Sequence, residues 1–258
     1  MTALAASGRV WQRNWLVYRR LWHRSLAFGF LQPVLFLAAM GLGIGTLIGS
    51  NADAFGGVPY IDWLGPGLLA AMGMQTATFE STYPIMNKIM WGRNYEAMLS
   101  TPISIRSIVG GELGWIAFRI GTLATVFIVV LTLFGIVRTP WAVLAIPVAT
   151  LVGVAFSALL IAFTATQKND VGFSAIFRFV INPLFLFSGT FFPLTQLPDS
   201  VEWVAWLTPL FHGVELIRGL VLNSLDLAAA PIHLAYLLVM AGAGIWLAER
   251  NLTKRMWS

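Results

Sequence analysis

Hydrophobic and polar positions separate into long blocks along this chain. Six apolar runs, at about residues 27–49, 61–83, 107–136, 141–166, 173–192 and 231–248, alternate with short polar stretches. A helix needs roughly 20 apolar residues to cross ~30 Å of hydrocarbon, and each run has about that length. The runs are continuous and do not alternate with period two, so spanning strands are excluded. Pro33, Pro66, Pro147 and Pro183 fall inside or near the ends of runs, where a packed membrane bundle tolerates them better than a soluble helix does. The prediction is an all-α membrane protein, with six transmembrane helices in one domain over residues 1–258.

Two further segments are mixed in character. Residues 7–26 interleave Val10, Trp11, Trp15, Leu16, Tyr18, Leu21 and Trp22 with Arg9, Arg13, Arg19, Arg20 and Arg24. This predicts an amphipathic helix in the headgroup layer, its arginines reaching lipid phosphates. The segment does not read as a cleavable signal, since no apolar stretch follows a short basic start. Residues 197–223 are half apolar but carry Glu202, Pro209, His212, Glu215 and Arg218. A seventh span there would place central charges in hydrocarbon at about 2.5–3.5 kcal/mol each. A re-entrant or interfacial helical pair on the outer side is predicted instead, anchored by Trp203 and Trp206.

Composition sharpens the class. Of 258 residues, 58% are hydrophobic and only 10% charged, against roughly 25% charged in a soluble domain. An ordinary soluble enzyme and a disordered chain are both excluded. The net charge of +5 does not point to nucleic acid, because the cations are spread thinly between apolar runs. They set orientation instead. With the N-terminus inside, the arginines before residue 26, Lys88, Arg93, Arg106, Lys168, Arg250, Lys254 and Arg255 are all cytoplasmic. Asp53, Asp62, Asp199, Glu202, Glu215 and Asp226 then gather outside. Both termini are predicted inside. The chain has no Cys, and His23, His212 and His233 are scattered, so no metal site is expected.

Chemistry concentrates in the inner loop between spans two and three. A short helix is predicted at about 93–102, with Asn94 as N-cap and Pro102 ending it. Tyr95, Met98 and Leu99 form an apolar ridge that fits either a groove in a partner or the chain's own bundle. No Gly-x-x-x-x-Gly-Lys-Ser/Thr occurs, so this chain has no P-loop of its own for ATP.

Three stretches carry a family resemblance. They are Arg93-Asn-Tyr-Glu-Ala-Met-Leu-Ser-Thr-Pro-Ile-Ser104, Phe187-Ser-Gly-Thr-Phe-Phe-Pro-Leu-Thr-Gln-Leu-Pro198 and Trp206-Leu-Thr-Pro-Leu-Phe-His-Gly-Val-Glu-Leu-Ile-Arg-Gly219. In this order, with six spans and a basic amphipathic start, the chain resembles the permease subunits of type-2 ABC exporters over essentially its whole length. The nearest branch is that of nodulation-factor, drug and glycolipid exporter permeases. The resemblance implies two ATPase subunits per complex, which carry the ATP and Mg, and a second permease that is a copy or a homologue. No cofactor is bound by this chain itself. It implies a coupling helix at Arg93, Asn94, Tyr95, Glu96, Met98, Leu99, Ser100 and Pro102 that docks into the ATPase. It implies a dimer seam along spans one and five, near Gly41, Gly45 and Gly49, and it favours a bacterial inner membrane. The implied function is ATP-driven outward movement of an amphiphile.

Ionisable residues within spans are functional candidates. Glu112 and Arg119 lie on about one face of span three, two turns apart, and Glu80 is a candidate partner for Arg119; they form either an ion network that fixes helix packing or a direct part of gating or substrate passage. The alternative function, an ion-coupled secondary transporter, would use Glu112 and Arg119 as its relay. Span five is aromatic, with Phe173, Phe177, Phe179, Phe185, Phe187, Phe191 and Phe192. These face lipid or line a path on which Asn182 and Thr190 give polar contacts. Arg178 is expected to snorkel to the inner interface. Glu202, His212, Glu215 and Arg218 form either an outer gate or a self-satisfied cluster.

Overall fold

The computed structural model describes residues 3–20, 31, 34–44, 55, 57–194 and 199–257. Among these, every regular element is helical and no strand occurs. Three helices are long and apolar enough to cross a membrane, at Ile105–Leu133, Pro140–Thr164 and Ala230–Trp257. The predicted spans at 107–136, 141–166 and 231–248 fall on them.

Helix α1 (Ala3–Tyr18) is amphipathic. Ala6, Val10 and Asn14, spaced four apart, are its buried face, while Arg9, Leu16 and Val17 point outward. The described part of the first run, 34–44, is helical and ends in a π-helical turn at Ala39–Ile44. Helix α2 (Tyr60–Ser81) is buried over most of its length and carries Pro66 inside. It breaks at Thr82 and continues as a short turn, Tyr83–Met86, and a π-helical turn, Asn87–Trp91. The loop helix α3 (Asn94–Leu99) follows. Helix α4 (Ile105–Leu133) has 29 residues, about 43 Å at 1.5 Å each, and Ser104 caps it by accepting from the Ser107 amide. A 3-10 turn at Pro140–Leu144 leads into α5 (Ala145–Thr164).

Helix α6 (Val171–Phe187) corresponds to the fifth run, but it is 17 residues long and contains a π-helical turn at Phe177–Ile181. The mixed 197–223 stretch holds two helices, α7 (Asp199–Trp206) and α8 (Pro209–Leu222). Thr208 caps α8, its hydroxyl accepting from the Phe211 amide, and Asn223 ends it in left-handed conformation at φ 61°. Helix α8 is buried at nearly every position, wedged against α2, α5 and α9 (Ala230–Trp257). It is thus a core element and not an interfacial one, while exposed Trp203 and Trp206 keep α7 at the surface.

Glycines set the helix spacing. A Cβ on Gly73 of α2 would lie 2.8 Å from the Ala149 carbonyl oxygen of α5. Gly111 of α4 would meet Val10 and the Ser7 carbonyl of α1. Small residues let membrane helices approach to backbone contact. The Gly110 and Gly114 pair therefore seats α1, an intrachain role. Gly41 is buried, and a Cβ there would lie 2.6 Å from Ile61 Cγ1 of α2, while Gly45 and Gly49 lie outside the described residues.

Replacing Gly73 by Ala is expected to cost about 1–3 kcal/mol, as overpacking does in a close-packed interior. Gly242→Ala, where a Cβ meets nothing within 4 Å, is expected to be neutral. Thermal unfolding of the two variants in detergent checks both.

Candidate functional site: a carboxylate-centred coupling element

The loop helix differs from its sequence expectation in two ways. Its N-cap is Arg93, not Asn94, and Arg93 adopts left-handed backbone at φ 45° with no side-chain cap. A non-glycine residue there is strained by ~1–3 kcal/mol. The apolar ridge also faces inward. Tyr95 is 1% exposed, and Met98 and Leu99 pack half-buried on the main core. The residues left facing outward are Trp91, Arg93, Glu96, Ala97, Ser100, Thr101 and Pro102. Arg93 and Glu96 make only a loose contact of 3.9 Å.

Tyr95 is anchored beside Glu112 of α4. The Glu112 carboxylate, 2% exposed, accepts from Lys88 Nζ at 2.6 Å and from Asn14 Nδ2 at 2.9 Å. Lys88 belongs to the turn after α2, Asn14 to α1 and Tyr95 to α3. One buried oxygen therefore ties α1 and the turn after α2 to α4, with Tyr95 of α3 beside the same carboxylate. Burial first, and then the adjacent carboxylate charge, push the Tyr95 phenol well above its ordinary 10.0. Asn14 was not singled out by the sequence analysis, yet it left a signal, being a polar residue on the apolar face Ala6–Val10–Asn14. Lys88 was assigned only as a topology marker.

Glu80 of α2 and Arg119 of α4 form a second ion pair at the same end of the bundle, and Arg119 lies 5.2 Å from the Tyr18 ring centre of α1. Trp11, Trp15 and Tyr18 interlock with Trp115 and Phe118 around it. Arg106 pairs with Glu249 of α9 at 3.1 Å. A cleft of about 250 Å³ lies between α3 and the end of α9, lined by Ile89, Met90, Arg93, Glu96, Arg255 and Met256.

The opposite end has its own polar set. Arg218 of α8, 5% exposed, donates to Glu215 at 2.9 Å and to the Gly189 carbonyl at 2.6 Å, with its guanidinium 3.6 Å over the Trp63 ring. Arg138 pairs with Asp62 at 2.6 Å. His212 and His233 face each other, Nδ1 to Nδ1, at 2.7 Å, and His212 Nε2 is 2.8 Å from the Trp206 carbonyl. That carbonyl only accepts, so His212 carries its proton on Nε2 and His233 donates from Nδ1. Of the four outer residues from the sequence analysis, His212, Glu215 and Arg218 share α8, and Arg218 pairs with Glu215. Glu202 lies on α7, and its side chain is outside the described residues. Trp63 and His233 went unmatched to these partners because the contacts cross from distant helices.

Among the described residues, a helical bundle with three helices long and apolar enough to cross a membrane fits a polytopic membrane protein. The model of the ABC-2 type transporter family matches residues 8–222, and the chain belongs to that family. It is 31% identical to nodulation protein J of Rhizobium meliloti (strain 1021), over 99% of this chain and 97% of the relative. Nodulation protein J of Rhizobium leguminosarum bv. viciae is 32% identical, over 89% and 87% respectively. The inner membrane transport permease YadH of Escherichia coli (strain K12) is 25% identical, over 81% and 80%. The chain is thus a transport permease of the ABC-2 family.

Glu112→Ala leaves the Lys88 ammonium buried without its counter-ion, and removing one partner of such a pair costs about 3–5 kcal/mol. Proteolysis at the arginines of α1 is expected to accelerate as α1 loses its Asn14 anchor. The raised Tyr95 value also predicts a pH dependence. The folded state holds the phenolic proton more tightly than the unfolded chain, so stability is full below pH 10 and falls as pH climbs from there through the folded value. Tyr95→Phe is expected to flatten that alkaline loss, as read by unfolding midpoints across pH 9–12.

Proposed function

We propose that this permease is the transmembrane subunit of an ATP-driven exporter in a bacterial inner membrane. Its six spans leave both termini in the cytoplasm, and the α7–α8 pair sits at the outer side. Two permeases, copies or homologues, work with two separate ATPase subunits that carry ATP and Mg. The cargo is an amphiphile, such as a drug, a glycolipid or a lipid-linked saccharide. The family description and the name of YadH support transport, and the name of YadH supports the inner membrane.

The observation that carries this reading is the two-sidedness of α3. Its inner side is fixed by Tyr95 and Glu112, and its outer side offers Arg93, Glu96, Ala97 and Ser100 to a partner. A load applied to that outer side passes through Lys88 to α2 and through Glu112 to α4 and α1. Packed interfaces respond to such loads by rigid-body shifts between discrete arrangements. The ion-coupled alternative has less support, since Glu112 and Arg119 each already hold a fixed intrachain partner.

The tagged chain is expected to retain a stoichiometric P-loop ATPase when purified in mild detergent from its native membrane. Glu96→Lys combined with Ala97→Arg, both at exposed positions, is expected to abolish that recovery without lowering the unfolding temperature. A folded chain that brings no ATPase contradicts the proposal.

A further inference from the structure

Helix α6 carries a polar stripe within an apolar helix. Ser174, Arg178 and Asn182, spaced four residues apart, are all exposed. An α-helix has 3.6 residues per turn, so a spacing of four drifts steadily around it. The wider π-helical turn at Phe177–Ile181 takes up that drift between Arg178 and Asn182. Among the described residues, no carboxylate lies within 4 Å of Arg178 and no hydrogen bond engages its side chain. Apolar side chains flank the stripe, with Phe179, Val180, Leu186 and Phe187 exposed. The other side of α6 is held by aromatic contacts. Phe173 meets Tyr83 and Phe163, and Phe185 meets Phe36 and Phe191.

Depth decides what this face meets. Lys168, Asn169 and Asp170 precede α6 and mark its polar end. At 1.5 Å per residue, Arg178 lies about 10 Å in and Asn182 about 16 Å in, close to the midplane of ~30 Å of hydrocarbon. Snorkelling accounts for an arginine at that depth. It does not account for Asn182, whose side chain is too short to reach either interface. A bare amide at mid-depth is costly against lipid tails, so polar residues there face a cavity or another subunit. If a two-fold axis brings this face to a second copy, two Arg178 side chains approach each other. Like charges in a low dielectric need an anion or water between them.

We infer that the Ser174–Arg178–Asn182 stripe is the contact for the cargo's headgroup, and that the cargo is an amphiphile whose headgroup bears a negative charge. A sulfate, phosphate or carboxylate pairs with Arg178, neighbouring polar atoms bond to Asn182 and Ser174, and the tail lies on Phe179, Leu186 and Phe187. This rests on the export reading above and specifies its substrate class. It also changes the expected role of Arg178 from an interfacial anchor to a ligand contact. Thr190, expected beside Asn182, is fully buried and takes no part.

The test uses the full chain in phosphatidylcholine nanodiscs, titrated with a fluorescent alkyl sulfate and the alkyl glucoside of the same chain length. The sulfate is expected to bind saturably and about tenfold more tightly than the glucoside, the scale of one charge-assisted hydrogen-bonded pair. Arg178→Gln is expected to erase that preference and Arg178→Lys to keep most of it, with oligomeric state and unfolding temperature unchanged. Equal sulfate binding by wild type and Arg178→Gln overturns the inference, and so does a change of oligomeric state with no change in binding. Displacement of the sulfate by phosphatidylglycerol built into the disc also overturns it, because the face is then a site for bilayer lipid. ATPase recovery in the pull-down does not involve Arg178, so it separates a failure here from a failure of the export reading.

Discussion

The architecture at one end of the bundle depends on a single buried carboxylate. Glu112 sits on α4, a helix with otherwise apolar surroundings, and the bilayer gives it no water to hold its charge. One of its two oxygens is satisfied from within, by Lys88 at 2.6 Å and Asn14 at 2.9 Å, with Tyr95 alongside the carboxylate. The two donors come from different segments, so neutralising one charge also fixes α1 and the turn after α2 to α4, and the loop helix packs beside them through buried Tyr95. The desolvation cost of such a pair is large, and its net effect on stability is smaller than its geometry suggests. Its value lies in position, since an outward-facing loop helix is joined to three segments through one point.

The rest of the fold follows from making that element stiff. Gly110 and Gly111 let α1 come to backbone contact with α4, and the ring cluster of Trp11, Trp15, Tyr18, Trp115 and Phe118 fills the remaining space. Gly73 does the same for α2 and α5. Against this packed set, α6 rests on the core through Ile176, Ile181 and Leu184 and on ring contacts at its two ends, and its opposite side is open.

Much of this was legible in the sequence because the bilayer imposes simple rules. Run length located the three long apolar helices, and the mixed 197–223 stretch announced a helical pair. What sequence could not supply was orientation about each helix axis. The Tyr95–Met98–Leu99 ridge has the same pattern whether it meets a partner or its own core, and only the Glu112 contact decides for the core. Burial of α8 was missed for a related reason. Its Glu215 and Arg218 read equally as an outer gate or a self-satisfied cluster, because the Trp63 ring and the Gly189 carbonyl that receive Arg218 lie far away in sequence. The π-helical turns leave no mark on hydropathy, so α6 read as a plain span.

The central claim is that α1 and α4 move as one body while force enters through the loop helix. The chain has no Cys, so an introduced pair forms one defined crosslink. A Cβ at position 110 lies 3.8 Å from the Ser7 Cβ, within disulfide range. The deciding measurement is ATP hydrolysis by the purified complex carrying Ser7→Cys and Gly110→Cys, before and after oxidation. The account predicts that closing the disulfide leaves the rate within about twofold of the reduced complex, because no relative motion is frozen. Loss of hydrolysis on oxidation, restored by reductant, would contradict it and make sliding of α1 over α4 part of the cycle.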